Sequence, residues 1–336
     1  MNILVSSSAS AEVQNTFFTE RAKTEIETCG DAKYAIMSRD ELRDSLAGVD
    51  VLFGNWGMPQ MTDDFLRNAD KLKLVCYTGG SVAGIMTEEM TARGIRLVCG
   101  NRLYANSVAE GTIGYIIAAQ RRLVDVINET HNNGWAPYRR SDGIRFKTIG
   151  IIGFGMIAKN LAKMLQAFEC TVKICSDYFL PEMQTEYRAQ KCDMDEIFET
   201  CDIVSLHESL REDTYHMIDA HYFEKMKPDA LFVNTARGAI IVEDDLAKVC
   251  REGRIRAILD VYEREPLPAD SSLRGIEGIY LVPHRGGPTT DIREHVTLAL
   301  IGDLRRFIAG IEPLEHEIDL EYAKHMTAST ANFIKK

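Results

Sequence analysis

The sequence predicts an α/β protein made of two domains with parallel sheets. Three observations predict it. The chain has 336 residues, enough for about two domains on the usual length prior. Both halves alternate short apolar runs with helix-patterned segments, the punctuation of βαβ units. Polar, chemistry-bearing residues directly follow several apolar runs of the second half, where open α/β sheets bind their ligands.

In the first half, apolar runs over 3–6, 51–53, 72–77 and 95–99 read as strands, and the stretches 11–29 and 62–69 carry helical spacing. A long helix is expected over 107–128, where Val108, Ile113, Ile116, Ile117 and Leu123 recur at helical intervals. Its apolar surface is wide, which suits either burial within the monomer or a subunit interface. A Gly/Trp/Pro-bearing stretch at 132–137 breaks the pattern. A second βαβ series runs from 147 to about 282, and 289–309 reads as one long helix leading back to the first half. No repeat of solenoid period and no low-complexity tract interrupts this order.

Bulk composition narrows the class. The chain is 45% hydrophobic and 26% charged, as expected of a globular protein. Its formal net charge of -11 argues against nucleic acid as a partner. A locally positive cleft for a small anion remains compatible with that charge. No apolar run approaches the roughly 20 residues of a membrane helix, so no membrane association is expected. The N-terminus, Met1-Asn2-Ile3-Leu4-Val5-Ser6, reads as a first strand rather than a signal peptide. Eight cysteines lie scattered without a C-x-x-C pair, and Cys76, Cys99 and Cys175 sit in or beside apolar runs as small hydrophobes. Neither a metal site nor a disulfide framework is expected, and a reducing cytoplasm is the simplest compartment.

The segment Thr148-Ile149-Gly150-Ile151-Ile152-Gly153-Phe154-Gly155-Met156-Ile157-Ala158 reads as a strand, a turn and the start of a helix. Gly153, Gly155 and Ala158 fit G-x-G-x-x-G/A: a tight turn, close approach to a pyrophosphate, and close helix–strand packing. The expected helix over 156–165 offers its N-terminal N–H groups to the phosphates. The next strand, 171–175, leads to Asp177, about 20 residues on, where an acid accepts hydrogen bonds from the adenosine ribose. That carboxylate repels a 2′-phosphate, and neither Tyr178 nor Phe179 offers a cation, so NAD is expected over NADP. A plain structural turn and a merely solvated carboxylate are the bland alternatives.

Three later stretches place an arginine, a glutamate and a histidine after apolar runs at 230–233, 255–259 and 279–282. They are Asn234-Thr235-Ala236-Arg237-Gly238, Asp260-Val261-Tyr262-Glu263-Arg264-Glu265-Pro266 and Pro283-His284-Arg285-Gly286-Gly287. An imidazole suits general acid–base work near neutral pH. A carboxylate beside it orients the ring, and both Glu263 and Glu265 are candidates for that position. Arg237 has the planar fork that grips a carboxylate. Taken singly, each has a structural reading: a histidine after a strand, an arginine paired with a surface acid, an aspartate capping a loop. Their joint placement after three strands favours proton transfer beside a bound anion.

With these motifs the chain resembles the D-isomer-specific 2-hydroxyacid dehydrogenases over nearly its whole length. N-x-x-R-G corresponds to 234–238, D-V-[FY]-x-x-E-P to 260–266 and P-H-x-G-G to 283–287. The resemblance implies catalytic Arg237, Glu265 and His284, and it selects Glu265 over Glu263. It implies that Asp260 contacts the nicotinamide carboxamide, that Thr235, His207 and Gly286 line the cofactor cleft, and that Met156 and Ile157 give backbone contacts to the pyrophosphate. It further implies two Rossmann-like domains. An NAD-binding domain, residues 101–288, is inserted into a substrate domain formed by 1–100 and 289–336. Members are typically homodimers built on the nucleotide domains, and too little chain follows Pro288 for the regulatory domain some relatives carry.

The chain also departs from that pattern. The substrate loop usually reads G-x-G-x-[DN], whereas here it is Gly79-Gly80-Ser81-Val82-Ala83. Backbone N–H groups of Gly79, Gly80 and Ser81 remain candidates for holding a substrate carboxylate. The L-H-x-P-L-T stretch is Leu206-His207-Glu208-Ser209-Leu210-Arg211. Trp56 stands near the position where phosphoglycerate-type relatives carry a phosphate-binding arginine, either as a wall over the substrate or as packing. Arg285 suits a second acidic group or a salt bridge. The expected activity is NAD-dependent interconversion of a D-2-hydroxy acid and its 2-oxo acid. An NADH-sensing module of the corepressor type and a phosphite-type dehydrogenase are the alternatives on the same scaffold.

Overall fold

The computed structural model describes residues 1–7, 10–135, 137, 138 and 140–327. They form two compact units: Met1–Tyr104 with the described residues from Pro288 onward, and Ala105–Gly287. Residue 136 of the expected breaker stretch and residues 328–336 of the expected 289–336 segment lie outside the described residues. Among the described residues no helix is long and apolar enough to cross a membrane.

The first unit is a five-stranded parallel sheet in the order β2-β1-β3-β4-β5. Its strands are β1 Asn2–Ser7, β2 Asp31–Ile36, β3 Val51–Gly54, β4 Leu74–Tyr77 and β5 Arg96–Cys99. One face packs Val5, Phe53 and Cys76 against Phe17, Phe18, Ile26, Leu300 and Leu304 from the helices and turns that cover it. The other buries Leu4, Leu52 and Val75 with Leu46, Phe65 and Leu66. Three expectations change. The stretch 11–29 is two helices, Ala11–Phe17 and Glu20–Glu27, because Thr19 caps the second by accepting Ala22 N–H at 3.2 Å. The stretch 62–69 forms turns, with Thr62 Oγ1 accepting from Phe65 N–H at 3.3 Å and Ala69 N–H returning to Leu66 O at 3.0 Å. The strand β2 was absent from the apolar pattern because it is an edge strand with no buried residue.

The second unit is a seven-stranded parallel sheet, β12-β11-β10-β9-β6-β7-β8. The strands are β6 Thr148–Ile152, β7 Thr171–Cys175, β8 Ala189–Lys191, β9 Ile203–Leu206, β10 Leu231–Asn234, β11 Arg256–Leu259 and β12 Ile279–Leu281. The central strands are almost wholly buried, as a sheet covered on both faces requires. The order reverses between β6 and β9, the switch point where such sheets bind ligands. Cys175, Ile152, Leu206, Asn234, Leu259 and Leu281 form one register row across the sheet. The loops that follow this row therefore begin at one level along one edge.

The long helix also differs from expectation. It spans Asn101–Gln120, stops where Arg122 adopts φ 49°, and resumes as Leu123–Asn133. The first helix buries Ala105, Ala109, Thr112, Ile116 and Ala119. The second buries nothing, and Leu123, Val124 and Ile127 stand exposed.

Candidate active site

The glycine loop follows β6. Gly153 has φ +90°, and a Cβ there would lie 2.7 Å from His207 O and 2.8 Å from Glu208 N, so only glycine lets the turn pass this close. Gly155 opens the helix Met156–Leu165 without a side-chain cap, and a Cβ on it would meet nothing within 4 Å. The first N–H groups of this ten-residue helix therefore have no side-chain cap. Ala158 is fully buried. Asp177 lies two residues beyond β7 and is exposed beside exposed Tyr178 and buried Phe179. An uncapped helix N-terminus, a glycine turn and an exposed carboxylate at the neighbouring strand end fit a dinucleotide's pyrophosphate and ribose.

His207 follows β9, and its N–H donates to Ile152 O at 2.7 Å. Its Nε2 lies 2.8 Å from Ser205 Oγ, while Nδ1 is buried and has no hydrogen-bond partner among the described residues. Burial lowers the ring's pKa to about 4, so it is neutral at pH 7.

Asn234 ends β10 and shapes the turn after it: Oδ1 accepts Ala236 N–H at 3.0 Å and Nδ2 donates to Arg237 O at 3.0 Å. Arg237 is half-buried, with Nη1 donating to Ala236 O at 2.5 Å. In the loop after β11, Glu265 Oε1 accepts Tyr262 N–H at 3.0 Å, and Oε2 lies 2.7 Å from His284 Nδ1. Burial pushes the Glu265 carboxyl up. The His284 hydrogen bond, the Tyr262 amide and the charges of His284 and Arg237 outweigh it and hold the group below its ordinary value. Glu263 faces elsewhere: it accepts Tyr215 Oη at 3.0 Å and lies 3.2 Å from His216 Nε2. Geometry thus separates two acids that spacing alone left equal.

His284 adopts φ +51°, a sparsely populated conformation for a non-glycine residue. Asp260 holds it there. His284 N–H donates to Asp260 O at 2.9 Å, Arg285 N–H to Oδ1 at 2.6 Å and Gly286 N–H to Oδ2 at 2.7 Å. Tyr115 Oη donates to Oδ1 at 3.1 Å, and Thr112 Oγ1 lies 3.2 Å from Thr235 Oγ1. Burial raises the Asp260 pKa, opposed by the Arg285 and Gly286 amides, by His284 and by Tyr115. The sequence reading missed Tyr115 and Thr112. Their only signal was a pair of polar residues at helical spacing on an apolar helix.

In the other unit, Ser81 Oγ donates to Thr327 O at 2.7 Å, and Gly79 O accepts Gly100 N–H at 3.0 Å. A Cβ on Gly79 would fall 2.2 Å from the Tyr77 ring, and Gly80 lies over Tyr104. Trp56 packs edge-on against Phe17 at 5.3 Å, with the Arg293 guanidinium 5.1 Å from its ring centre. Arg285 makes no ion pair with a described residue of its own unit. No cluster of three His, Cys, Asp or Glu side chains able to hold a metal occurs among the described residues.

Comparison with known proteins identifies the family. Residues 113–286 match the model of the D-isomer specific 2-hydroxyacid dehydrogenase NAD binding domain. The chain is 32% identical over 259 residues to a glyoxylate reductase of Thermococcus litoralis, covering 74% of this chain and 78% of that one. It is 31% identical over 291 residues to a D-3-phosphoglycerate dehydrogenase of Methanocaldococcus jannaschii, covering 85% of this chain and 55% of that one. The structure of D-2-hydroxyisocaproate dehydrogenase superposes with a TM-score of 0.81 at 19% identity, over 95% of this chain and 99% of that one, which shows a shared fold. The chain therefore belongs to the D-isomer-specific 2-hydroxyacid dehydrogenase family and is an oxidoreductase that uses a nicotinamide dinucleotide.

Proposed function

We propose that this protein interconverts a D-2-hydroxy acid and its 2-oxo acid with NAD, using His284 as general acid/base, Glu265 as its partner and Arg237 as the grip on the substrate carboxylate. The observation that carries this reading is the 2.7 Å contact between His284 Nδ1 and Glu265 Oε2. It leaves Nε2 as the ring atom free to exchange a proton with the substrate oxygen. The bound nicotinamide supplies the hydride in the reductive direction. Arg237, in the same unit and close enough to depress Glu265, brings positive charge for a carboxylate and a polarised carbonyl. Gly79, Gly80, Ser81 and Trp56 are proposed to contact the substrate, and Asp260, Thr235, His207 and Gly286 to line the cofactor cleft.

Residues 101–288 are proposed as the NAD-binding domain, with 1–100 and 289–336 forming the substrate domain. Asp177, exposed at the end of β7, favours NAD by repelling a 2′-phosphate. Eight unpaired cysteines favour a cytoplasmic setting. The exposed Leu123, Val124 and Ile127 favour a homodimer.

The test is NADH oxidation with a panel of 2-oxo acids, by wild type and His284→Ala. Wild type is expected to turn over at least one acid and yield the D-hydroxy product. His284→Ala should lose at least about a hundredfold in kcat while keeping NADH affinity within about twofold, the range of general acid catalysis. Tight NADH binding without oxidation by any acid would overturn the proposal and favour a sensor. Near-normal turnover by His284→Ala would overturn the role of His284.

A further inference from the structure

The Asp260 carboxylate has about four acceptor sites on its two oxygens. Three are taken by protein donors: the Arg285 amide, the Gly286 amide and the Tyr115 hydroxyl. The two amides belong to the residues directly after His284, whose φ of +51° needs support from its surroundings. Asp260 is only 2% exposed, so bulk water does not readily replace a donor that is lost. Its orientation therefore decides where the His284 loop sits, and the third donor bears on that orientation.

Tyr115 is that donor, and it comes from outside the loop. It sits in the helix Asn101–Gln120, which approaches the catalytic loops at three points. A Cβ at Gly111 would lie 3.1 Å from Gly286 O, so helix and loop pass closely here and a larger residue would need the loop to give by a few tenths of an ångström. Thr112 Oγ1 meets Thr235 Oγ1 at 3.2 Å, in the loop that carries Arg237. One helical turn on from Gly111, Tyr115 Oη reaches Asp260 Oδ1 at 3.1 Å.

We propose that Tyr115 is a positioning residue for the reaction: its hydroxyl orients the Asp260 carboxylate, which holds the Arg285 and Gly286 amides and so fixes the His284 ring against Glu265. This inference rests on the reading of His284 as the proton donor. Without the hydroxyl, Oδ1 keeps only the Arg285 amide and the carboxylate turns about its remaining bonds. The His284 loop then samples other positions, and the turnover rate falls while substrate and cofactor still bind.

Tyr115→Phe keeps the ring and removes only the hydrogen bond. Its kcat for the best 2-oxo acid should fall about five- to twentyfold, with KM for that acid within about twofold of wild type. Hydrogen exchange at the Arg285 and Gly286 amides should speed up about tenfold or more, while exchange in β6 and β9 stays unchanged. On an Asp260→Asn background, Tyr115→Phe should add less than about a twofold further loss, because the partner it acts through is already altered. Unchanged exchange at Arg285 and Gly286 in Tyr115→Phe would overturn the proposal, as would equal losses in the two backgrounds. The exchange measurement needs no substrate. If wild type reduces no 2-oxo acid, the reading of the activity fails while the exchange result still decides whether Tyr115 holds the loop.

Discussion

Gly238 and Tyr262 approach so closely that a Cβ on Gly238 would lie 1.9 Å from the Tyr262 carbonyl carbon. One follows Arg237 directly, and the other donates its amide to Glu265 at 3.0 Å. The loops after β10 and β11 are thus fitted backbone to backbone. Gly238→Ala should push them apart at a cost of about 3 kcal/mol or more, since backbone yields less than a side chain. Thermal unfolding should show a melting temperature lower by about 6–12 °C. Turnover should fall more than this loss of stability explains. A variant with wild-type melting and turnover would show that the loops have slack.

Glu265→Gln keeps the shape of the side chain and removes its charge. The carboxyl is held below its ordinary value, so its ionised form is the one the folded site stabilises. That stabilisation is fully present above the unfolded carboxylate pKa and is lost as pH falls through the lower folded value. Wild-type turnover should accordingly hold into the acid range until Glu265 protonates. Glu265→Gln should lower kcat about ten- to a hundredfold and abolish that acid limb, leaving NADH affinity within about twofold. Steady-state kinetics from pH 4 to 9 checks both effects.

Asp177→Ala removes the carboxylate at the end of β7 and should act on the cofactor alone. NADH affinity should fall about tenfold through loss of charge-assisted ribose contacts. NADPH affinity should rise as the repulsion of its 2′-phosphate disappears. Fluorescence titration with both cofactors measures the ratio, and an unchanged ratio would remove Asp177 from the site.

His207, which directly follows β9, bears on acid stability. Its folded pKa of about 4 lies below the unfolded value of 6.5, so the unfolded chain takes up the proton first. The neutral ring's contribution is complete above pH 6.5 and is lost as pH falls toward 4. The slope for one proton is at most about 1.4 kcal/mol per pH unit. Urea unfolding of wild type and His207→Gln at several pH values should show wild type losing ground to the variant only within that window. Parallel curves would mean that the ring is already charged or already wet.

The strands were legible because parallel strands buried on both faces leave near-continuous apolar runs, as at 149–152 and 231–233. The edge strand β2 has no buried face and left no such trace. The stretch 62–69 carried helical spacing, yet it closes only turns, with Leu66 N–H returning to Thr62 O and Ala69 N–H to Leu66 O. The break at Arg122 has neither glycine nor proline to announce it. At the site, Arg237, His284 and the glycine loop stood out by motif. Choosing between Glu263 and Glu265 from residues alone needed the path of the loop, which spacing does not contain. Tyr115 needed more still, namely the rotation of a helix relative to a strand end more than a hundred residues later.

The helix Leu123–Asn133 makes a last prediction. It buries none of its residues, and Ile127 is 61% exposed beside Leu123 and Val124. An amphipathic helix with its apolar stripe in water is unstable unless something covers the stripe. A second copy of this chain is the expected cover. Ile127→Glu places a charge in the stripe without touching the core of its own unit. Sedimentation should show a dimer for wild type and a monomer, or a dimer weakened at least about tenfold, for the variant. The Asn101–Gln120 helix runs directly into this one and carries Tyr115 near its end. The monomeric variant should therefore also lose turnover, with faster exchange at Arg285 and Gly286. A monomer with full activity would separate the two helices, leaving the dimer surface without influence on the His284 loop.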